Sequence, residues 1–183
     1  MMNSRLVTIS KYLSKHLRHQ PDKIGIQLAA GGWVNIDQLL AACANNQFPI
    51  TRQELDEVVT TSDKKRFSFD STGTLIRANQ GHSVEVDLQL EPVAPPNVLY
   101  HGTGQKAVES VMQIGLVKMS RHHVHLSQDI ATAKIVGARH GKPVIFVVDT
   151  AAMHKAGHKF YCSENGVWLV DTVPPEYLQK TEF

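Results

Sequence analysis

"RFSFDSTGTLIRANQ", residues 66–80, alternates apolar and polar side chains on both sides of a Ser71-Thr72-Gly73 turn. That pattern predicts an antiparallel hairpin. What precedes it is helical. Thr51 and Glu54 make a capping box for a helix in "RQELDEVVTTS". Asn35 is placed to N-cap "IDQLLAACANN", after a Gly31-Gly32 turn and Trp33-Val34. Further back, Ile9, Leu13 and Leu17 recur every four residues and define the buried stripe of a first helix. That helix should end near Gln20, because the residue before Pro21 is biased away from helical dihedrals. Three helices followed by a two-stranded wing predict a winged-helix domain.

Downstream, "VEVDLQLEPVAPPN" (residues 84–97) carries three prolines and three acids with no base. It reads as an extended connector ending in a hinge, and places a domain boundary between residues 1–90 and 91–183. Beyond it, strand and helix signals interleave. "NVLYHGT" reads as a buried strand, and "QKAVESVMQIG" as a helix with Val108, Val111 and Met112 on one face and Gly115 as C-cap. "HVHLS" is a short strand. "DIATAKIVGARHG" is a helix opened by Asp129 and closed by Gly141. "PVIFVVDT" is the most apolar strand, and "FYCSENGVWLVDTV" is two strands around Asn165-Gly166. The fold class expected is α+β, the second domain being a mixed α/β unit with a β core.

The chain has 183 residues and a formal net charge of +2, too small to make the whole surface attractive to nucleic acid. Any anion site must come from local placement of Arg, Lys and His. Cys43 and Cys162 form no C-x-x-C and no metal spacing, so reduced thiols are expected. The N-terminus lacks an apolar signal core, and no run reaches the ~18 apolar residues of a membrane span. A soluble, cytoplasmic protein with no obligate protein partner is expected.

Several residues carry chemistry. Arg18 and His19 sit side by side in the last turn of the first helix. Cations there gain roughly 0.3–1 kcal/mol from the helix dipole, which is one account of them; an anion site is the other. Arg77 follows Leu75 and Ile76 on a strand that should be half buried, with no acid within three residues. Its forked guanidinium suits phosphate oxygens. Lys64, Lys65 and Arg66 form a basic run at the base of the wing, either a solvated face or a groove for a nucleic-acid backbone. Seven of the ten histidines follow Asn97. His101, Gly102 and Thr103 of "YHGT" lie at the end of a strand just before a helix, where small residues admit a ligand, or merely a tight turn. Arg121, His123 and His125 share one face of a strand by the two-residue period. No H-E-x-x-H or completed ligand set accompanies them, so no metal is expected and a ligand cleft fits better. Arg139 closes a helix in "VGARHG".

"LSKHLRHQP", "GW", "SDKKRFSF", "IRANQGHS", "YHGT", "HVHLS", "VGARHG" and "NGVWL" occur here in one order. Together they closely resemble the bacterial KptA group of the RNA 2'-phosphotransferase family (tRNA 2'-phosphotransferases), from Ile9 to about Val173. The resemblance implies an N-terminal winged-helix lobe, a C-terminal lobe related to ADP-ribosyltransferases and a cleft between them. It implies removal of an internal RNA 2'-phosphate with NAD as acceptor and no metal. The RNA phosphate attacks C1'' of the nicotinamide ribose and expels nicotinamide. The 2''-hydroxyl of the ADP-ribosylated RNA then attacks phosphorus, giving 2'-hydroxyl RNA and ADP-ribose 1'',2''-cyclic phosphate.

The family's essential quartet falls by motif on Arg18, His19, Arg77 and Arg139. Three guanidiniums can stabilise charge developing on phosphate oxygens, and an imidazole can exchange a proton near neutral pH. All four are expected to converge on one phosphoryl group. NAD is expected in the second lobe, against His101, Gly102, Thr103 and Ser127, with Arg121, His123 and His125 as further contacts. Glu164 of "SENG" is assigned no catalytic role. Two other readings use the same features. One is an NAD-dependent ADP-ribosyltransferase that caps terminal phosphates of RNA or DNA. The other is a non-enzymatic winged-helix nucleic-acid binder.

Overall fold

A computed structural model describes residues 4–62 and 64–181. The chain divides into two compact units, one running to Gln89 and the other starting at Leu90.

In the first unit, α1 (Ser4–Arg18) buries Ile9, Leu13 and Leu17 completely. β1 (Val34–Asn35) leads into α2 (Ile36–Asn45), where the Asn35 side chain accepts a hydrogen bond from the Gln38 amide at 3.1 Å. α3 (Arg52–Thr61) opens with the expected capping box of Thr51 and Glu54. The hairpin follows as β2 (Phe67–Phe69) and β3 (Leu75–Ala78), paired Phe67 to Ala78. Its turn is organised by Asp70, whose carboxylate accepts from the Thr72 hydroxyl and from the Leu75, Thr72 and Thr74 amides. Those donors hold its pKa down to about 2, the Thr72 hydroxyl foremost. β3 also pairs with β1, so the sheet runs β1-β3-β2, antiparallel throughout. Leu39, Cys43, Leu55, Val58 and Ile76 complete this unit's core with the α1 stripe. Cys43 is a free thiol whose pKa burial pushes up to about 11.

The second unit begins in the proline-rich segment and enters β4 (Val98–Gly104). A 3-10 turn leads into α4 (Val108–Ile114), closed as expected by Gly115 in the left-handed region at φ +79°. Val111 is buried on this helix but Met112 is half exposed, because only one turn of its face meets the core. Then come β5 (Leu116–Val117), β6 (Val124–Leu126) and α5 (Ile130–Gly137), N-capped by Asp129 on the Thr132 amide at 2.7 Å. α5 ends at Gly137 rather than at Gly141; a 3-10 turn, Ala138–His140, separates the two.

β7 (Pro143–Asp149) runs into α6 (Thr150–Lys155), a short helix that was not expected, capped by Asp149. β8 (Phe160–Cys162) and β9 (Trp168–Val170) flank the Asn165-Gly166 turn. β10 (Thr172–Val173) and β11 (Leu178–Lys180) finish the unit. The sheets run β11-β7-β4 and β6-β9-β8, with β10 paired to β5, all antiparallel. Tyr100 and Ser127 exchange backbone hydrogen bonds of 2.8 and 2.7 Å, tying β4 to the end of β6. Leu99, Leu126, Phe146, Val148, Met153 and Phe160 fill the core. The molecule is thus α+β, built on small antiparallel sheets. Among the described residues, no helix is long and apolar enough to cross a membrane.

Candidate active site

In the first unit, two of the last carbonyls of α1 are met by backbone amides. The Arg18 carbonyl accepts from the Ser83 and Val84 amides at 2.9 and 3.3 Å, and the Lys15 carbonyl from the His19 and Gln20 amides at 3.0 Å each. These backbone donors meet the carbonyls that a cationic side chain would otherwise serve. Arg18 instead reaches forward. Its guanidinium lies 5.9 Å from the Phe67 ring centre and donates to the Arg66 carbonyl at 3.4 Å. His19 is exposed, with Nδ1 2.9 Å from the Ser83 hydroxyl. The helix-dipole account therefore leaves the orientation of this pair unexplained.

Both residues line a cavity of about 610 Å³ with Lys11, Lys15, Lys64 and Arg66. Lys65, the middle of the expected basic run, is not part of that lining. Its backbone is in the left-handed region at φ +36°, and its carbonyl accepts from Asn79 Nδ2 at 2.7 Å. The Asn79 amide also holds the Arg66 carbonyl at 2.9 Å, so one residue of β3's outgoing end fixes the course of the run. Lys11 and Lys15 are not among the residues expected from sequence. The signal was present: positions 11, 15 and 18 share one helix face.

Arg77 is half buried on β3. Its guanidinium lies 4.5 Å from the Trp33 ring centre, and Nη1 donates to the Gly31 carbonyl at 3.4 Å. This accounts for the "GW" signature. Gly31 and Gly32 take φ of +79° and +76°, and a Cβ on Gly31 would lie 2.8 Å from Trp33 Cδ1. The turn lets the indole lie where Arg77 can stack on it.

In the second unit, His101, Gly102 and Thr103 lie inside β4, which continues to Gly104, and not at its end. Gly102 is not open to a ligand at its Cα. A Cβ there would come within 1.7 Å of the Ala133 carbonyl oxygen, and one on Gly104 within 2.2 Å of the His140 carbonyl oxygen. The small residues admit α5 and its following turn onto the strand. Arg139 is exposed on that turn.

His101 Nδ1 donates to the His125 carbonyl at 3.0 Å. Burial pushes its pKa below the ordinary imidazole value, the His125 carbonyl opposes this, and nearby His140 adds to the lowering. The neutral ring keeps Nε2 as an acceptor. Arg121 lies in the turn before β6, not on the strand, yet its Nη1 donates to His125 Nδ1 at 2.6 Å. Ser127 follows directly, beside Tyr100. His123 departs from this group and packs on the Tyr161 ring at 5.5 Å. Its pKa is lowered by burial first, then by His122 and Lys118, against Asp171. Thus His101, Arg121, His125 and Ser127 are gathered, whereas His123 is not. Among the described residues, no three His, Cys, Asp or Glu side chains are grouped as a metal site needs.

The RNA 2'-phosphotransferase, Tpt1 / KptA family matches residues 4–172. The chain belongs to this family. It is 76% identical over 180 residues to a probable RNA 2'-phosphotransferase of Nostoc punctiforme, covering 98% of this chain and 99% of that one. It is 56% identical over 179 residues to the similarly named protein of Streptomyces coelicolor, covering 98% and 97%. With that of Pectobacterium carotovorum it shares 47% over 184 residues, covering 100% and 99%. The family match spans every residue of both groups above, from Lys11 to Arg139. Arg18, His19 and Arg77 belong to the first unit and Arg139 to the second.

Proposed function

We propose that this chain removes a 2'-phosphate from RNA using NAD. On this reading the first unit is a winged-helix lobe that carries the RNA, and the second an ADP-ribosyltransferase-like lobe that carries NAD. The observation that carries the proposal is the set of groups beside Arg18 and His19: a family-typical pair at a helix end that backbone amides help to cap, in a cavity whose other charged groups, among the described residues, are basic.

An RNA 2'-phosphate oxygen bonds to C1'' of NAD as the bond to nicotinamide breaks. The 2''-hydroxyl then bonds to phosphorus and the RNA 2'-oxygen leaves, taking up the proton that the 2''-hydroxyl gives up. The chain's own residues hold and neutralise the phosphoryl group. Arg18, Arg77 and Arg139 supply guanidiniums for its oxygens. Trp33 keeps Arg77 in place beneath them. His19, oriented through Ser83, holds or passes the proton. The second unit fits a dinucleotide in its donor chemistry. His101 offers an Nε2 acceptor suited to a ribose hydroxyl, and Arg121 supplies a guanidinium suited to a pyrophosphate. Ser127 adds a hydroxyl-bearing residue beside Tyr100, and Thr103 another further along β4; Gly102, closed by α5, serves to seat that helix. The chemistry needs no metal.

A 2'-phosphorylated oligoribonucleotide incubated with NAD tests the reading. The expected products are 2'-hydroxyl RNA, nicotinamide and ADP-ribose 1'',2''-cyclic phosphate. Nicotinamide release with ADP-ribose left on the RNA as the end product would overturn it, as would no reaction at all.

A further inference from the structure

Between β3 and β4 the chain forms neither helix nor strand. Its first part, residues 81–89, is nonetheless fixed at both ends within the first unit. At one end the Ser83 and Val84 amides donate to the Arg18 carbonyl, and the Ser83 hydroxyl lies 2.9 Å from His19 Nδ1. Gly81 passes so close that a Cβ on it would lie 3.8 Å from Arg18 Nη1. At the other end the Asp87 carbonyl accepts from the Gly31 amide at 2.8 Å. The Asp87 carboxylate accepts from the Gln89 amide, also at 2.8 Å, and bends the chain there, with Gln89 at φ +53°. The alternation of Val84, Val86 and Leu88 suits a strand, but the segment bonds to the Gly31-Gly32 turn instead.

Two residues of this segment are buried, His82 at 1% exposure and Leu88 at 9%. Both close on Gly32. A Cβ there would lie 3.3 Å from Leu88 Cδ2 and 3.4 Å from His82 Nε2. The adjoining Gly31 is engaged twice: its amide donates to Asp87, and its carbonyl accepts from Arg77 Nη1 at 3.4 Å. Trp33, on the other side of Gly32, holds its ring 4.5 Å from the Arg77 guanidinium. Backbone outside helices and sheets keeps a fixed course only where contacts offset the entropy of ordering it. The contacts that hold this segment fall on Arg18, on His19 and on the turn that seats Arg77.

We propose that residues 81–89 are a strap that sets Arg77 against Arg18 and His19, and that Leu88 is its positioning residue. The proposal rests on the reading that these three side chains act on one phosphoryl group. Leu88 acts through Gly32. Its side chain fills the space that this glycine leaves open, and so keeps the Gly31 carbonyl and the Trp33 ring where Arg77 uses them. A misplacement of about 1 Å at a reacting group can cost up to ~10²-fold in rate.

The test compares Leu88→Ala with Leu88→Met and with Val58→Ala, which removes buried methyl groups from α3 in the same unit. The substrates are a 2'-phosphorylated oligoribonucleotide and NAD. Leu88→Ala should slow cyclic phosphate formation about tenfold and leave the KM for NAD unchanged. Leu88→Met should recover most of the rate. Val58→Ala should lower Tm but not the rate. In an Arg77→Ala background, Leu88→Ala should have no further effect, because nothing remains to be positioned. The Arg77 Nε–H resonance, displaced by the Trp33 ring current, should move toward its ordinary position in Leu88→Ala and not in Val58→Ala. Should Leu88→Ala not fold, Leu88→Val carries the same comparison. A wild-type rate in Leu88→Ala, or a full tenfold loss added to that of Arg77→Ala, would overturn the strap. If the wild type turned over no 2'-phosphorylated RNA, the functional reading would fail, and the resonance alone would decide: moved by Leu88→Ala, the strap stands; unmoved, it falls.

Discussion

Arginine and histidine meet twice in this molecule, and the two meetings have opposite physics. At the end of α1, Arg18 and His19 stand beside a wide cavity among other cations, with the helix end capped by backbone amides. In the second unit, Arg121 and His125 are joined to each other, His125 holds His101 through its carbonyl, and His101 is buried enough to stay neutral. The first arrangement concentrates positive charge where an anion can reach it. The second spends its polar groups on one another and presents a neutral acceptor. On the proposed reading, the first suits a phosphate and the second a dinucleotide ribose.

The largest effect that can break this comparison is on the reaction itself. Arg77→Ala and Arg139→Ala should each lower formation of the cyclic phosphate by about 10²–10³-fold, the range for removing one preorganised charge-stabilising donor. ADP-ribosylated RNA should accumulate on a sequencing gel. If Arg139→Ala formed product at the wild-type rate, the two units would not share the work assigned to them.

Next comes a change in stability. Gly102→Ala puts a methyl group into the Ala133 carbonyl and should cost about 3 kcal/mol, read as a lowered Tm. Gly157→Ala is the control. Its Cβ meets nothing within 4 Å, so only its left-handed backbone, φ +95°, is penalised, by about 1 kcal/mol.

Trp33→Leu removes the ring beneath Arg77 without touching the reacting groups. It should lower kcat by about tenfold through misplacement of the guanidinium while leaving the KM for NAD unchanged, and Trp33→Phe should recover most of the loss. An equal rise in the KM for NAD would show that Trp33 acts elsewhere.

The smallest effect concerns pH. The folded His101 has a pKa below its ordinary value of 6.5, so the unfolded chain binds a proton first as pH falls. Stability should therefore decline as pH drops below 6.5, until the lowered folded pKa is reached. His101→Asn keeps a donor for the His125 carbonyl and should flatten the Tm–pH profile in that window. His16 and His123 are lowered by burial too, so part of the slope should remain.

Local features were legible in the sequence. Asn35, the Thr51–Glu54 box, Gly115 and the hairpin at residues 66–80 depend on neighbours a few positions away, and each lies where its pattern put it. What failed depended on partners distant along the chain. Glycine at 102 shows that something comes close to the strand, but the sequence does not distinguish a helix from a ligand. β4 runs on to Gly104 because β7 pairs with it to Pro143. α6 has too few residues, six, to show a period in the sequence, and Asp149 at its cap is its one local signal. Around the candidate site, Arg18, His19 and Arg77 stand out one by one in the sequence, whereas Trp33 beneath Arg77 and the capping of α1 by residues 83 and 84 exist only in three dimensions.

The seam between β4 and α5 has one more implication. Main chain lies on main chain there, with Gly102 and Gly104 on one side and Gly137 on the other, and no layer of side chains to yield between them. A joint without upholstery transmits displacement nearly undamped. The strand carrying His101 and the turn carrying Arg139 must therefore travel as one rigid piece, and a residue substituted anywhere along this joint would be felt at both at once.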